Sequence, residues 1–165
     1  MINKFNDFIK EMNSSNSTND KIKVLRNCDR ELQRILYYTY NNFMQYNITS
    51  KNLEKRKDLC NKDTKFDSIF NLLDSLNEKL ITGHKAIEET NGFILKNPEF
   101  KHLLYLILNR NLKIRASVKL INKAHIGLIP TFNVALANKF NDKTKKKVDL
   151  KKDVWYVSRK LDGVR

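Results

Sequence analysis

Apolar residues return every three or four positions along most of the first 130 residues, and this spacing predicts a mainly helical chain. Ile2, Phe5, Phe8, Ile9 and Met12 place one helix over residues 1–12. The polar run at 13–19 reads as a loop, with Asn19 or Asp20 positioned to cap the next helix. Ile22, Leu25, Leu32, Ile35, Leu36, Tyr40 and Phe43 carry the helical spacing onward, with a break near 27–29. Residues 44–65 show no such period and include a basic run at 51–57, so they read as an irregular, solvated stretch.

The period returns at 66–80, where Phe66, Ile69, Phe70, Leu73, Leu76 and Leu80 line one face of an amphipathic helix. Thr82 and Gly83 turn the chain, and Ala86, Ile87, Phe93 and Ile94 continue a helix to about Leu95. Asn97, Pro98 and Glu99 form a helix start: a cap, a proline in the first turn and a carboxylate at the positive end. Phe100, Leu103, Leu104, Ile107 and Leu108 make that helix largely buried, so the stripe is core. Ser117 is placed to cap a short helix with Val118, Ile121 and Ala124 inside, and Gly127 to Pro130 end the helical region. Beyond it the texture changes: residues 138–152 are polar and lysine-rich, and strand propensity rises at 154–157. The expected organisation is a helical domain over 1–130, followed by a different domain over 131–165 that opens with one or more strands.

Composition sharpens this picture. The 165 residues contain only four Gly and two Pro, so long elements are rarely interrupted, and 41% apolar content is adequate for a core. The formal net charge of +14 points to a polyanionic partner, nucleic acid before an anionic membrane surface. A chain rich in Lys, Asn and Ile also fits a compositional bias, so the charge supports this reading without carrying it. Arg110, Lys113 and Arg115 lie in one turn, and Lys119 and Lys123 share a helix face at i and i+4. Together with Ser117 they form the candidate seat for phosphate. Cys28 and Cys60 have no metal-ligand spacing and fit a reduced intracellular setting. His84, His102 and His125 stand far apart and read as structural or surface residues, and no metal site is expected. No apolar run is long enough for a membrane span, and the N-terminus lacks a signal-peptide core.

The most specific signal is Lys160-Leu161-Asp162-Gly163-Val164-Arg165, which spells K-x-D-G-x-R directly after the strand-like run. A lysine amine is a nucleophile only when neutral, and cationic neighbours favour that form. Arg159 and Arg165 flank Lys160. Gly163 permits a sharp turn or a close backbone approach, and Asp162 could orient the turn. Arg165 offers a planar fork of donors for phosphate or sugar oxygens.

This motif resembles motif I of the covalent nucleotidyltransferases: DNA ligases, RNA ligases and mRNA capping enzymes. More of the chain is similar to ATP-dependent DNA ligases of the T-even phage type. The stretches that carry the likeness are Asp29 to Leu32, Tyr37 to Tyr40, Gln45-Tyr46, Thr82 to Gly92, Asn109 to Leu112, Ala116 to Val118 and Ala124 to Pro130. The resemblance implies a helical DNA-binding domain followed by the start of an α/β nucleotidyltransferase domain. It implies that Lys160 is the adenylylated residue, and that Arg165, Ser158 and Arg159 lie at the nucleotide. ATP and Mg²⁺ are the implied substrate and cofactor of the complete enzyme. Nicked double-stranded DNA is the implied partner, gripped through contacts that include Arg110, Lys113, Arg115, Ser117, Lys119 and Lys123. The implied setting is DNA repair, replication and recombination, in an intracellular monomer with no membrane attachment.

Two positions depart from the pattern. Ligases of this type usually carry glycine just before the Ala-Ser pair, where this chain has Arg115, which puts the local turn in doubt. Ser158 stands where many relatives place a carboxylate or amide that helps hold adenine, although on a strand it would share a face with Lys160. Family members also continue far past motif I. The chain is therefore expected to be a C-terminally truncated ligase, or one piece of a split one, that binds DNA without sealing it. Two rivals share some of these features. One is a fragment of an RNA ligase or capping nucleotidyltransferase; the other is a non-catalytic helical DNA-binding module.

Overall fold

A computed structural model describes residues 1–132, 141, 142, 146, 148, 149, 151–154 and 156 of this chain. Met1–Thr131 form one compact unit and Phe132–Arg165 another. The first unit holds eight α-helices. They are α1 (Ile2–Ser14), α2 (Thr18–Arg26), α3 (Arg30–Tyr40), α4 (Ser50–Lys55), α5 (Ile69–Asn77), α6 (Gly83–Lys96), α7 (Lys101–Leu108) and α8 (Val118–Ala124). A 3-10 turn, Pro98–Phe100, leads into α7.

The helices form where the apolar period demands and start where a side chain can satisfy the first free N–H groups. Phe5, Phe8 and Met12 bury one stripe of α1. Asp29 caps α3 by accepting from the Leu32 N–H, and Ser117 caps α8 by accepting from the Leu120 N–H. Two cap expectations are corrected. The cap of α2 is Ser17, which accepts from the Asp20 N–H; Asp20 itself lies in the first turn and accepts from the Ser15 hydroxyl. Asn97 makes no capping bond: its side-chain amide donates back to the Phe93 carbonyl at 3.2 Å, and the 3-10 turn takes over the role of helix start.

The stretch 44–65 is more ordered than its composition predicts. Met44, Tyr46, Ile48 and Leu53 are all buried, and α4 begins with a Thr49–Asn52 capping box. Its signal was an alternation, buried at 44, 46 and 48 and exposed at 45, 47 and 49, of period two rather than 3.6. Two residues assigned to apolar stripes face solvent instead: Phe43, beyond the end of α3, and Leu80, beyond the end of α5. Both helices stop before the stripe does, so the residue that would complete the period swings outward.

One continuous apolar core joins all eight helices. Within it α2 packs on α1 and α8, α3 on α7, and α6 on α4 and α5. The loop before α5 is strapped to α6. Glu89 accepts from the Asn61 amide and the Thr64 hydroxyl, while Asn91 donates to the carbonyls of Arg56 and Leu59. Gly92 permits the approach: a Cβ there would lie within contact of the Asn61 carbonyl oxygen and 2.9 Å from its carbon.

In the second unit the described residues Asp149, Lys151, Lys152 and Asp153 share a turn. The Asp149 carboxylate accepts from the N–H groups of Lys151 and Lys152, and its own N–H donates to Asp153. Of the expected strand at 154–157, Trp155 and Val157 lie outside the described residues. Among the described residues there is no strand at all, and Val154 and Tyr156 are both exposed and irregular. The mainly α class stands; the opening of an α/β domain is not present among the described residues.

Candidate nucleic-acid interface

The candidate interface is the segment from Arg110 to Lys123, and its geometry begins with how α7 ends. The Asn111 N–H donates to the Leu106 carbonyl at 3.0 Å, and the Arg110 N–H donates to the Ile107 carbonyl at 2.9 Å. This is a Schellman closure, and it requires a left-handed residue at Arg110, where φ is +54°. Lys113 and Arg115 are left-handed too, at +59° and +49°. Each such residue without glycine costs about 1–2 kcal/mol, so three in six positions need support from outside the segment.

That support comes from α1 and α2. The Asn13 amide donates to the Lys113 carbonyl at 3.0 Å, and the buried Lys21 ammonium donates to the Arg115 carbonyl at 2.9 Å. Leu112 and Ile114, on either side of the first tie, are fully buried. The loop is therefore pinned at both its apolar side chains and its carbonyls, and Lys113 and Arg115 are turned to solvent. The positive φ of Arg115 is the conformation glycine adopts most readily, so the turn survives here with a side chain that strains it.

The six expected contact residues divide by environment. Lys113, Arg115, Lys119 and Lys123 are exposed and form no ion pair among the described residues. Ser117 is exposed, but its hydroxyl caps α8. Arg110 points inward: its guanidinium donates to the Asn41 carbonyl at 2.9 Å and lies 5.7 Å from the Tyr46 ring centre. Burial pushes the Tyr46 phenol above its usual range, and the nearby guanidinium offsets part of that rise. Arg110, half-buried, thus ties the end of α3 to the end of α7. Asn13 and Lys21 were not visible as site residues in the sequence, since nothing local in α1 or α2 reports a loop about 100 positions away.

Lys160, Arg165, Ser158 and Arg159 lie outside the described residues. Among the described residues no group of three His, Cys, Asp or Glu side chains could hold a metal ion. His125 is engaged structurally, with Nε2 2.7 Å from the Leu25 carbonyl, where it joins the ends of α8 and α2. His84 lies beside Arg56, and His102 is exposed. Among the described residues no helix is long and apolar enough to cross a membrane.

No family model matches the sequence. Among curated proteins the chain is similar to the DNA ligase of Enterobacteria phage T4, at 30% identity over 142 residues. The DNA ligase of Enterobacteria phage T6 matches to the same extent. The matched stretch takes in 82% of this chain, and the chain spans 28% of the length of either ligase.

Proposed function

We propose that this chain, a relative of the T-even phage DNA ligases, contributes the DNA-gripping helical body and the nucleotide-accepting lysine of an ATP-dependent nick-sealing ligase. The observation that carries the reading is the set Lys113, Arg115, Lys119 and Lys123, all exposed and free of ion pairs among the described residues, the first two on a loop tied to Asn13 and Lys21. Cations held this way suit backbone phosphates, whose contacts position a protein on a duplex without reading its sequence.

In the proposed chemistry the Lys160 amine bonds to the α-phosphorus of ATP as the bond to pyrophosphate breaks. AMP then passes to the 5′-phosphate at the nick, and the 3′-hydroxyl displaces it. Mg²⁺, when bound, would neutralise charge on the phosphates. Arg159 and Arg165 favour the neutral amine at Lys160 by their charge. Of the groups such chemistry uses, these 165 residues are proposed to supply the lysine and its neighbours, so the chain alone binds DNA and does not seal it.

The test is a salt series of binding to nicked duplex DNA. Replacing all four exposed cations by glutamine should flatten the log–log salt dependence by about 3–4, near 0.9 per lost phosphate contact. An unchanged slope would remove these residues from the interface, and equal affinity for nicked duplex RNA would favour the RNA-ligase reading. Incubation with radiolabelled ATP and Mg²⁺ should leave no stable label, and label retained on Lys160 would show that the chain is active alone.

A further inference from the structure

Beyond α8 the chain makes a tight turn whose tip is apolar. Ile126 is 97% exposed. The turn beneath it is closed by the Leu128 N–H, which donates to the His125 carbonyl at 3.1 Å, and Gly127 supplies the positive φ, +72°, that lets it reverse. Both ends are clamped. The Asn122 side-chain amide pairs with the Ile129 backbone in both directions, each bond 2.8 Å, and His125 is held to Leu25. A stray apolar side chain on a loose loop would be unremarkable. Here a stiff branched aliphatic is held out on a fully bonded turn, directly after the exposed Lys119 and Lys123.

The other side of the turn is also basic. Leu128 forms one wall of a shallow cleft of about 280 Å³, whose other walls are Arg30, Gln33, Arg34 and Tyr37 from one face of α3. Two of these are held in place: the Arg34 guanidinium stacks 3.8 Å over the Phe70 ring centre, and the Gln33 amide donates to the Cys28 carbonyl at 2.9 Å. Arg30 and Arg34 form no ion pair among the described residues. A cleft lined by tyrosine, leucine and two arginines suits a sugar–phosphate unit: apolar contact for the deoxyribose and guanidinium donors for the flanking phosphates.

We propose that the 125–128 turn and the α3 face form a second backbone-contact site for duplex DNA, with Ile126 laid against deoxyribose and Arg30 and Arg34 on the adjoining phosphates. It rests on the DNA-binding function proposed above and adds α3, which carries none of the exposed cations of that interface. The apolar part adds affinity without releasing counterions, so its signature differs from that of the lysines.

The experiment uses the whole chain and a labelled nicked duplex, with affinity measured across a salt series and the sugars probed by hydroxyl-radical cleavage. Ile126→Ser should weaken binding about tenfold, leave the salt slope unchanged and expose one or two sugars that the unaltered chain protects. Arg30→Gln should weaken binding and lower the slope by about one. The thermal midpoint of Ile126→Ser should match the parent, since its side chain is solvent-exposed. If the unaltered chain binds the duplex but both variants match it in affinity, slope and footprint, this second site is wrong and the interface proposed above stands. If the unaltered chain fails to bind duplex DNA at all, the DNA-binding reading fails first.

Discussion

The Lys21 ammonium donates to the Arg115 carbonyl at 2.9 Å, across 94 positions of sequence. Lys21 is 6% exposed and has no carboxylate partner among the described residues, so this buried cation serves one backbone oxygen. The bond holds the strained turn that presents Lys113 and Arg115.

Lys21→Met keeps most of the apolar stem and removes the donor. It should cost about 2 kcal/mol in urea unfolding, the order expected when a buried carbonyl loses its partner. It should also weaken DNA binding, although the residue is buried. A variant as stable as the parent would show that the tie contributes nothing.

Arg115→Gly separates conformation from charge. Glycine relieves the left-handed strain of about 1–2 kcal/mol but adds about 0.5–1 kcal/mol of unfolded-chain entropy. Stability should therefore hold or rise by up to about 1 kcal/mol, while the salt slope of DNA binding falls by about one. A clear loss of stability would mean that the Arg115 side chain supports the fold.

Gly92→Ala addresses the strap between α6 and the loop before α5. The added methyl meets the Asn61 backbone, whose N–H donates to the Glu88 carbonyl and whose carbonyl accepts from the Thr64 N–H, so it cannot yield as a side-chain tip could. The expected loss is about 3 kcal/mol, at the upper end of overpacking effects. A thermal midpoint within two or three degrees of the parent would contradict the close approach.

The Glu54 carboxyl joins α4 to α7 and is drawn down to about 2 by its bonds from Lys57, Tyr105 and Lys101, in that order of strength. Its folded value lies below the usual 4.5, so its contribution is present above pH 4.5 and fades as pH falls toward 2. Asp29, held low by the Leu32 N–H and then Lys4, adds to the same acid lability. Urea midpoints at pH 5 and pH 3 should therefore fall less for Glu54→Gln than for the parent. Equal falls would mean the carboxylate is not differentially stabilised in the fold.

The chain's own letters settled what depends on neighbours three or four positions away. The stripes of Phe5–Phe8–Met12 and Leu103–Leu104–Ile107, the break at 27–29 and the Ser117 cap follow from local period and local bonding. So did the resemblance carried by Lys160, Gly163 and Arg165, which is a matter of residue type and spacing alone. Packing decided the rest. It turned Arg110 inward to Asn41, buried Lys21 against Arg115, and set three non-glycine residues left-handed. It also ordered the 44–48 stretch against the core and held Ile126 out on a clamped turn. Each of these depends on a partner in another element, and no period along one segment reports what that partner will be. A cation's role as phosphate contact or internal strut is set by which carbonyl the fold brings within reach, and only the folded chain makes that choice.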